Sequence, residues 1–87
     1  MDKKIRKAVR TFLIKDDKIV VIKYKNQNNG FYDIPGGKIE SNENSAAASI
    51  REFKEETGID ILNQKYLGNV IIEYPTMIFD MDIYLLN

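Results

Sequence analysis

One segment of the chain, residues 45–57, has the sequence pattern of a helix, and this single helix constrains the fold most. Asn44 can act as its N-cap, and Gly58 supplies the residue just beyond its C-terminal end. Three consecutive alanines at 46–48 favour helix between these two signals. The helix pattern stands between strand-like runs, so the sequence predicts a domain of the α/β (α+β) class.

Apolar runs on both sides of the helix predict strands. Before it, residues 5–14 and 19–24 are joined by a polar turn and predict a β-hairpin, and a polar loop at 26–30 leads into a short segment at 31–35. After it, residues 66–74 and 77–86 predict two strands joined tightly at Pro75 and Thr76. Because no repeat or linker interrupts the pattern, we expect residues 1–87 to form a single domain.

The 87 residues include neither Cys nor His. A disulfide framework, a thiolate nucleophile and a zinc site built on Cys or His are therefore excluded, and so is the commonest general base. Any chemistry must come from carboxylates, Lys, Arg, Tyr, hydroxyl groups or a hard cation.

The charges of the chain balance to zero overall, which argues against stable nucleic-acid binding. They are divided unevenly, however, because residues 1–25 carry a net charge of +6 and residues 26–87 a net charge of −6. A basic segment beside an acidic one suits a site that handles an anion together with a metal ion, although exposed strands often carry Lys for other reasons.

No apolar run approaches the roughly 20 residues that a membrane-spanning helix needs. The charged N-terminus is not followed by an apolar stretch of the kind found in signal peptides. We therefore expect a cytoplasmic protein without a membrane partner.

Three glutamates of the predicted helix, Glu52, Glu55 and Glu56, fall within about 100° of arc, because residues three and four apart share a helical face. Carboxylates that converge in the last turn of a helix repel one another and are disfavoured by the helix dipole. A cation would relieve both costs. Ligation by oxygen alone selects hard cations, so the sequence predicts Mg²⁺, with Mn²⁺ as a substitute.

The other positions of the helix divide into two expected groups. The small residues Ser45, Ala48 and Ser49 share the carboxylate face, where they would leave room for a substrate. Residues on the adjacent arc are expected to pack against the sheet: Ala46, Ile50, Phe53 and Thr57.

The segment 37–59 carries a spaced motif that includes this helix. It reads Gly37, five residues, Glu43, seven residues, and then Arg51-Glu-Phe-Lys-Glu-Glu-Thr-Gly-Ile. This pattern resembles the Nudix box, the signature of the Nudix hydrolase family and its MutT-like members, at every fixed position. The resemblance implies a mixed β-sheet with the box helix, without the C-terminal strands and second helix that usually follow in the family.

The resemblance also implies roles for the residues of the box. Glu52 and Glu56 would be direct metal ligands, together with the backbone of Gly37, and Glu55 would be a further ligand or the base that deprotonates water. The general base differs among family members, so Glu52 and Glu55 both remain candidates.

Three further residues would orient this site according to the resemblance. Arg51, which we group with the catalytic residues, would pair with Glu43 and hold the box loop against the helix. Glu40 matches an acidic position before the box glutamate and is a second orienting candidate.

The reaction that the resemblance implies is hydrolysis of a nucleoside diphosphate linked to another group, X. MutT-type relatives act on nucleoside triphosphates, including oxidised ones, and release a nucleoside monophosphate and pyrophosphate. Adjacent Tyr74 and Pro75 match weak spacing cues of dinucleoside polyphosphate and ADP-ribose hydrolases, so these substrates stay open. Candidates for contact with such a small-molecule nucleotide are basic or aromatic: Arg10, Lys23, Lys25 and Lys38 for phosphates, and Tyr24, Phe31 or Tyr32 for base stacking.

The C-terminal end of the sequence leaves other possibilities open. The apolar strand at 77–86 ends the sequence, where the family normally continues, so we expect either a fragment of a longer protein or a homo-oligomer, including a strand-exchanged dimer. A chain shortened in this way could also be a non-catalytic nucleotide-binding or regulatory module that keeps only the metal site.

Overall fold

The computed structural model describes residues 3–24, 31–61 and 63–86. The predicted loop at 26–30 and Lys25 lie outside the described residues. Within the described ranges the elements in chain order are β1 (Lys4–Lys15), β2 (Lys18–Ile19), β3 (Ile22–Tyr24), β4 (Phe31–Asp33), β5 (Gly36–Lys38), α1 (Ser45–Thr57), β6 (Lys65–Glu73) and β7 (Met77–Leu86).

Five of the strands form one mixed sheet in the order β2-β1-β7-β6, and β5 also pairs with β1. The long central pair, β1 and β7, is parallel, whereas β1 pairs antiparallel with β2 and β5, and β6 pairs antiparallel with β7. Strands β3 and β4 form a separate antiparallel pair. One helix on a mixed sheet confirms the predicted fold class.

Both predicted hairpins are present. Lys15 pairs with Lys18, and the two residues between them, Asp16 and Asp17, have φ values of 54° and 60°, the left-handed geometry that suits a two-residue hairpin turn. At the other hairpin, the N–H of Tyr74 donates to the carbonyl of Met77 at 2.7 Å. The predicted strand at 19–24 is divided instead into β2 and β3, because only its first part follows β1 and its last part pairs with β4.

The helix α1 has the predicted bounds and caps. The Asn44 side chain accepts a hydrogen bond from the N–H of Ala47 at 2.8 Å, which satisfies a donor that the first turn leaves free. Gly58 has a φ of 77°, and its N–H donates to the carbonyl of Lys54. These contacts fix the last turn of the helix, where the glutamates lie.

The helix packs on β1 and β5 through a small apolar core. Val9 of β1, Ala48 of α1 and Tyr84 of β7 form one buried cluster, and Phe53 is buried to 1% exposure. Hydroxyl pairs extend this contact, since Thr11 bonds Ser49 at 2.8 Å and Ser45 bonds the Tyr84 hydroxyl. The face of α1 that meets the sheet is therefore partly polar.

This packing shows that the predicted assignment of α1 residues to a substrate-facing group and a core-facing group was wrong at three positions. Ala48 and Ser49 are fully buried against the sheet, so they do not leave room for a substrate. Ile50, expected in the core, is 41% exposed, because Phe53 and the two small residues occupy the contact with β1.

Strand β6 forms one edge of the main sheet among the described strands. Its middle is apolar and exposed, with Leu67, Val70, Ile71 and Ile72 each more than one-third exposed. Its charged residues, Lys65 and Glu73, stand at its two ends. A long edge of this kind can pair with another strand.

Candidate active site

The packed face of α1 also directs two of its glutamates toward β5. Ala48, Glu52 and Glu56 are spaced four residues apart, so they lie one above another on the same face of the helix. Because Ala48 and Phe53 hold that face against the sheet, Glu52 and Glu56 reach the backbone of β5.

Two glycines of β5 allow close contacts at this site, Gly37 with a carboxylate and Gly36 with β1. A Cβ atom on Gly37 would lie 2.5 Å from the carboxyl carbon of Glu52, so only glycine allows the present contact. The N–H of Gly36 donates to Oε2 of Glu56 at 3.4 Å, and a Cβ on Gly36 would lie 2.0 Å from the carbonyl oxygen of Val9. Gly37 thus admits the Glu52 side chain, whereas Gly36 admits the neighbouring strand.

The environment of Glu56 shows that the two carboxylates are close neighbours. Partial burial raises the pKa of Glu56, and the charge of the adjacent Glu52 raises it further. The Gly36 N–H and the Arg10 guanidinium act in the opposite direction. Arg10 also forms an ion pair with Asp33 at 3.7 Å, which ties β1 to β4 beside the site.

Arg51 connects the helix to the loop that follows β5. Its Nε and Nη2 atoms donate to the two carboxylate oxygens of Glu43 at 3.1 and 2.5 Å, a bidentate pair. Its Nη1 atom donates to Glu52 at 2.9 Å and to Glu55 at 3.0 Å, and Nη2 also donates to the Lys38 carbonyl at 3.0 Å. Hydrogen bonding to Arg51 holds the pKa of Glu43 below its usual range, so this pair is ionised.

The loop itself is closed by backbone contacts of Glu40. Its N–H donates to the Glu43 side chain at 2.9 Å, and its carbonyl accepts from the Glu43 N–H at 3.2 Å. The backbone of Glu40 therefore positions the side chain that Arg51 holds.

The three glutamates do not converge as closely as the helical spacing predicts. The Glu55 side chain is 54% exposed and points to Arg51, because it lies beside the face that α1 packs on the sheet. Among the described residues, no three acidic side chains are near enough to hold a metal ion between them.

The donors that do come together still suit a hard cation. Glu52 and Glu56 provide adjacent carboxylates at the Gly36–Gly37 backbone, and the raised pKa of Glu56 records an unfavourable burial of negative charge that a divalent cation would relieve. The residues present therefore fit Mg²⁺ or Mn²⁺ in ligand chemistry.

The candidate substrate contacts are distributed over three places. Arg10 lies beside Glu56, and Lys38 is exposed at the end of β5. Lys23 lies over the ring of Tyr32 at 5.7 Å, so these two contact each other on the β3–β4 pair. The side chains of Tyr24 and Phe31 lie outside the described part of the structure.

Gln64 contacts the first half of α1 through hydrogen bonds that the sequence did not predict. Its Oε1 atom accepts from the Ser49 hydroxyl at 2.8 Å, and its Nε2 atom donates to the Ala46 carbonyl at 3.2 Å. Because the Ser49 proton is used in this way, Thr11 is the donor in its bond with Ser49. No local pattern marks a single Gln after a helix, so this contact was not accessible from sequence.

The two glycines of β5 predict different effects of substitution. Gly36→Ala places a methyl group against fixed backbone and should lower the free energy of unfolding by about 1–3 kcal/mol or more. Gly37→Ala meets the end of a flexible side chain, so it should change stability by less than about 1 kcal/mol and displace the Glu52 carboxylate. Urea unfolding of both variants, with Lys38→Ala as the control, measures this difference, and equal losses for the two alanines would refute the assignment.

Comparison with known proteins agrees with this geometry. The family model of the NUDIX domain matches residues 4–85. The chain is 35% identical over 63 residues to an 8-oxo-dGTP diphosphatase of Proteus vulgaris, covering 72% of this chain and 56% of that protein. It is 45% identical over 53 residues to an ADP-ribose pyrophosphatase of Methanocaldococcus jannaschii, covering 60% and 31% of the two chains.

Solved structures of other proteins have the same fold as this chain. A MutT NUDIX hydrolase from Burkholderia pseudomallei superposes with a TM-score of 0.83 at 27% identity, covering 95% of this chain and 67% of that one. The chain thus spans little more than half the length of the first of these relatives and two-thirds of this structure. No helix in the described ranges is long and apolar enough to cross a membrane. From the match over residues 4–85 and the shared fold, the chain belongs to the NUDIX domain family.

Proposed function

We propose that the chain is a divalent-metal-dependent pyrophosphohydrolase of a nucleoside diphosphate linked to X. The substrate proposed first is a nucleoside triphosphate or an oxidised one, cleaved to the nucleoside monophosphate and pyrophosphate. The observation that carries this proposal is the pair Glu52 and Glu56 against the glycine backbone of β5, inside the family motif. The similarity to a protein named 8-oxo-dGTP diphosphatase supports the substrate.

The metal would be held by the carboxylates of Glu52 and Glu56 and the backbone of Gly37. When bound, a divalent cation neutralises phosphate charge and lowers the pKa of water. Glu52 is suited to ligation because its contact with Arg51 at 2.9 Å fixes its orientation.

The surrounding side chains supply position and proton transfer. Hydrolysis breaks one P–O bond of the anhydride and joins a water oxygen to phosphorus, so a base must take up a proton. Glu55, which is exposed and paired with Arg51, and Glu52 are the two candidates for this base. Arg51 acts as a positioning residue, since it joins Glu43 of the loop and the Lys38 carbonyl of β5 to the helix carboxylates Glu52 and Glu55.

Two alternatives follow from other observations. The relative named ADP-ribose pyrophosphatase keeps ADP-ribose among the substrates to be tested, and the position of Tyr74 keeps dinucleoside polyphosphates among them. A non-catalytic nucleotide-binding module is the alternative from another class, because Arg51 neutralises part of the acidic cluster and would hold it without a metal.

A substrate panel separates these functions. The protein is incubated with Mg²⁺ and, in turn, with nucleoside triphosphates, 8-oxo-dGTP, ADP-ribose and diadenosine tetraphosphate, and the products are separated by anion exchange. Nucleoside monophosphate with pyrophosphate supports the first proposal. Nucleotide binding by calorimetry without any turnover supports the binding module.

Glu52→Gln tests the central carboxylate. It removes a ligand charge but keeps the size of the side chain, so we expect nearly complete loss of turnover with an unchanged fold. Glu73→Gln, on an exposed edge of the sheet, is the matched control and should retain wild-type activity. A Glu52→Gln variant within about tenfold of wild type, a barrier change of only about 1.4 kcal/mol, would contradict the assignment.

A homo-oligomer is a further part of the proposal, and β6 is the edge that supports it. Antiparallel pairing of two copies of β6 brings the Lys65 end of one copy to the Glu73 end of the other, so the charges at the ends attract. The exposed apolar middle of the strand would be covered in the same pairing. We therefore propose that a second copy of the chain pairs with this edge of the sheet, rather than a different protein.

Ile71→Lys tests this edge, because Ile71 is 64% exposed in the middle of β6. A charge there should convert an associated species into monomer, as measured by sedimentation velocity over a range of protein concentrations. Ile59→Lys, which changes an exposed residue outside the sheet, should leave association unchanged. A wild-type protein that stays monomeric at high concentration would overturn the proposal.

A further inference from the structure

A basic groove of about 610 Å³ opens where the chain after β5 separates from β1. The last backbone bond between them joins the Ile39 N–H to the Lys7 carbonyl at 3.0 Å. Four residues that line it are basic, and Glu40 is the single acidic one; the basic residues are Lys4, Arg6, Lys7 and Lys38. The groove therefore has a strong excess of positive charge in a chain whose total charge is zero.

This groove begins beside the candidate active site. Lys38 lines it and directly follows Gly37, the residue that contacts the Glu52 carboxylate. The Lys38 carbonyl also accepts a hydrogen bond from Arg51. Arg51 donates to Glu52 as well, so one guanidinium contacts both the Glu52 carboxylate and a residue that lines the groove, and an extended substrate bound at Glu52 could reach the groove.

Neighbouring groups leave most of the positive charge of the groove available. Arg6 is held by the ring of Phe79, 5.9 Å from its centroid, a contact that does not neutralise its charge. On β7, Asp80 lies opposite Lys7 in the register, and Lys7 lines a second pocket together with Asp80 and Asp82, so these acidic groups offset part of the Lys7 charge. Lys4 and Lys38 are exposed and form no ion pair among the described residues.

The groove also has an apolar part, made by Ile5, Ile39 and Met77. A pocket of several hundred Å³ that combines apolar lining with a few charged groups is typical of sites for nucleotide-sized ligands. Its chemistry suits a group that carries phosphate charge together with a less polar portion.

We propose that this groove binds the group X of the substrate and selects an X that carries negative charge of its own, such as additional phosphates. This inference rests on the proposed function, because it assigns a part of the substrate to a place beside the reacting bond. It explains where the basic half of the chain acts, since three of the four cations belong to β1. An uncharged X, such as the ribose of ADP-ribose, would gain little from the groove.

The test compares kcat/KM for two probes, adenosine 5′-tetraphosphate with an anionic X and ADP-ribose with an uncharged one. The double variant Lys4→Glu/Lys7→Glu should lower kcat/KM for the tetraphosphate by about tenfold or more, because each reversed charge weakens an exposed ionic contact. It should change kcat/KM for ADP-ribose by less than about threefold. The effect on the tetraphosphate should shrink as KCl is raised, since salt screens exposed charges.

The matched control is Lys15→Glu/Lys18→Glu, which makes the same change of charge at the turn between β1 and β2. It should change kcat/KM for neither probe by more than about threefold. This limit is smaller than the effect of losing one exposed ion pair worth about 1 kcal/mol. Lys4→Arg/Lys7→Arg should restore activity on the tetraphosphate. If the reversed variant does not fold by circular dichroism, Lys4→Gln alone replaces it.

The outcomes separate this inference from the proposed function. Equal losses with both probes, or no loss with the tetraphosphate, would overturn the assignment of the groove while hydrolysis stands. If the wild type hydrolyses neither probe nor any nucleotide of the substrate panel, the proposed function fails, and calorimetry with inorganic tripolyphosphate then tests the groove by itself. If the wild type binds tripolyphosphate and the Lys4→Glu/Lys7→Glu variant does not, the assignment of the groove is supported. Equal binding by the wild type and the variant would overturn that assignment.

Discussion

The guanidinium of Arg51 is the interaction on which the candidate site depends. It joins the loop carboxylate Glu43, the Lys38 carbonyl and the helix carboxylates Glu52 and Glu55 through hydrogen bonds of 2.5–3.1 Å. Without this cation, the acidic groups would repel one another and the loop would lose its link to the helix. One arginine therefore allows a small domain to hold a cluster of negative charge.

The position of that cluster follows from the core. The helix packs on β1 through three buried residues, Ala48, Ser49 and Phe53. The same face of the helix carries Glu52 one turn after Ala48 and Glu56 one turn later. Glycine at the matching place in β5 lets the Glu52 carboxylate touch the backbone. The packing that stabilises the fold and the placement of the carboxylates are thus two parts of a single helical face.

The sequence predicts much of this arrangement, because the helix, its caps and both hairpins are set by local signals such as Asn44, Gly58 and the turn at Asp16 and Asp17. The resemblance of the motif to the Nudix box predicts the pair of Arg51 with Glu43, which the structure contains. Helical periodicity alone misplaces Ser49 and Ile50, since it orders residues around an axis but does not show which arc meets the sheet. Contacts between distant residues, such as Gln64 with Ser49 and the groove between β1 and Lys38, have no local signal.

The most direct test of the metal site is a titration with Mn²⁺ followed by electron paramagnetic resonance of the free ion. The wild-type chain should bind Mn²⁺, and Mg²⁺ should compete for the same site. Glu52→Gln/Glu56→Gln should weaken binding by about tenfold or more, because the loss of a group that supports a metal typically costs that much affinity. Affinity within twofold of wild type in this double variant would contradict the assignment of these two carboxylates as the metal site.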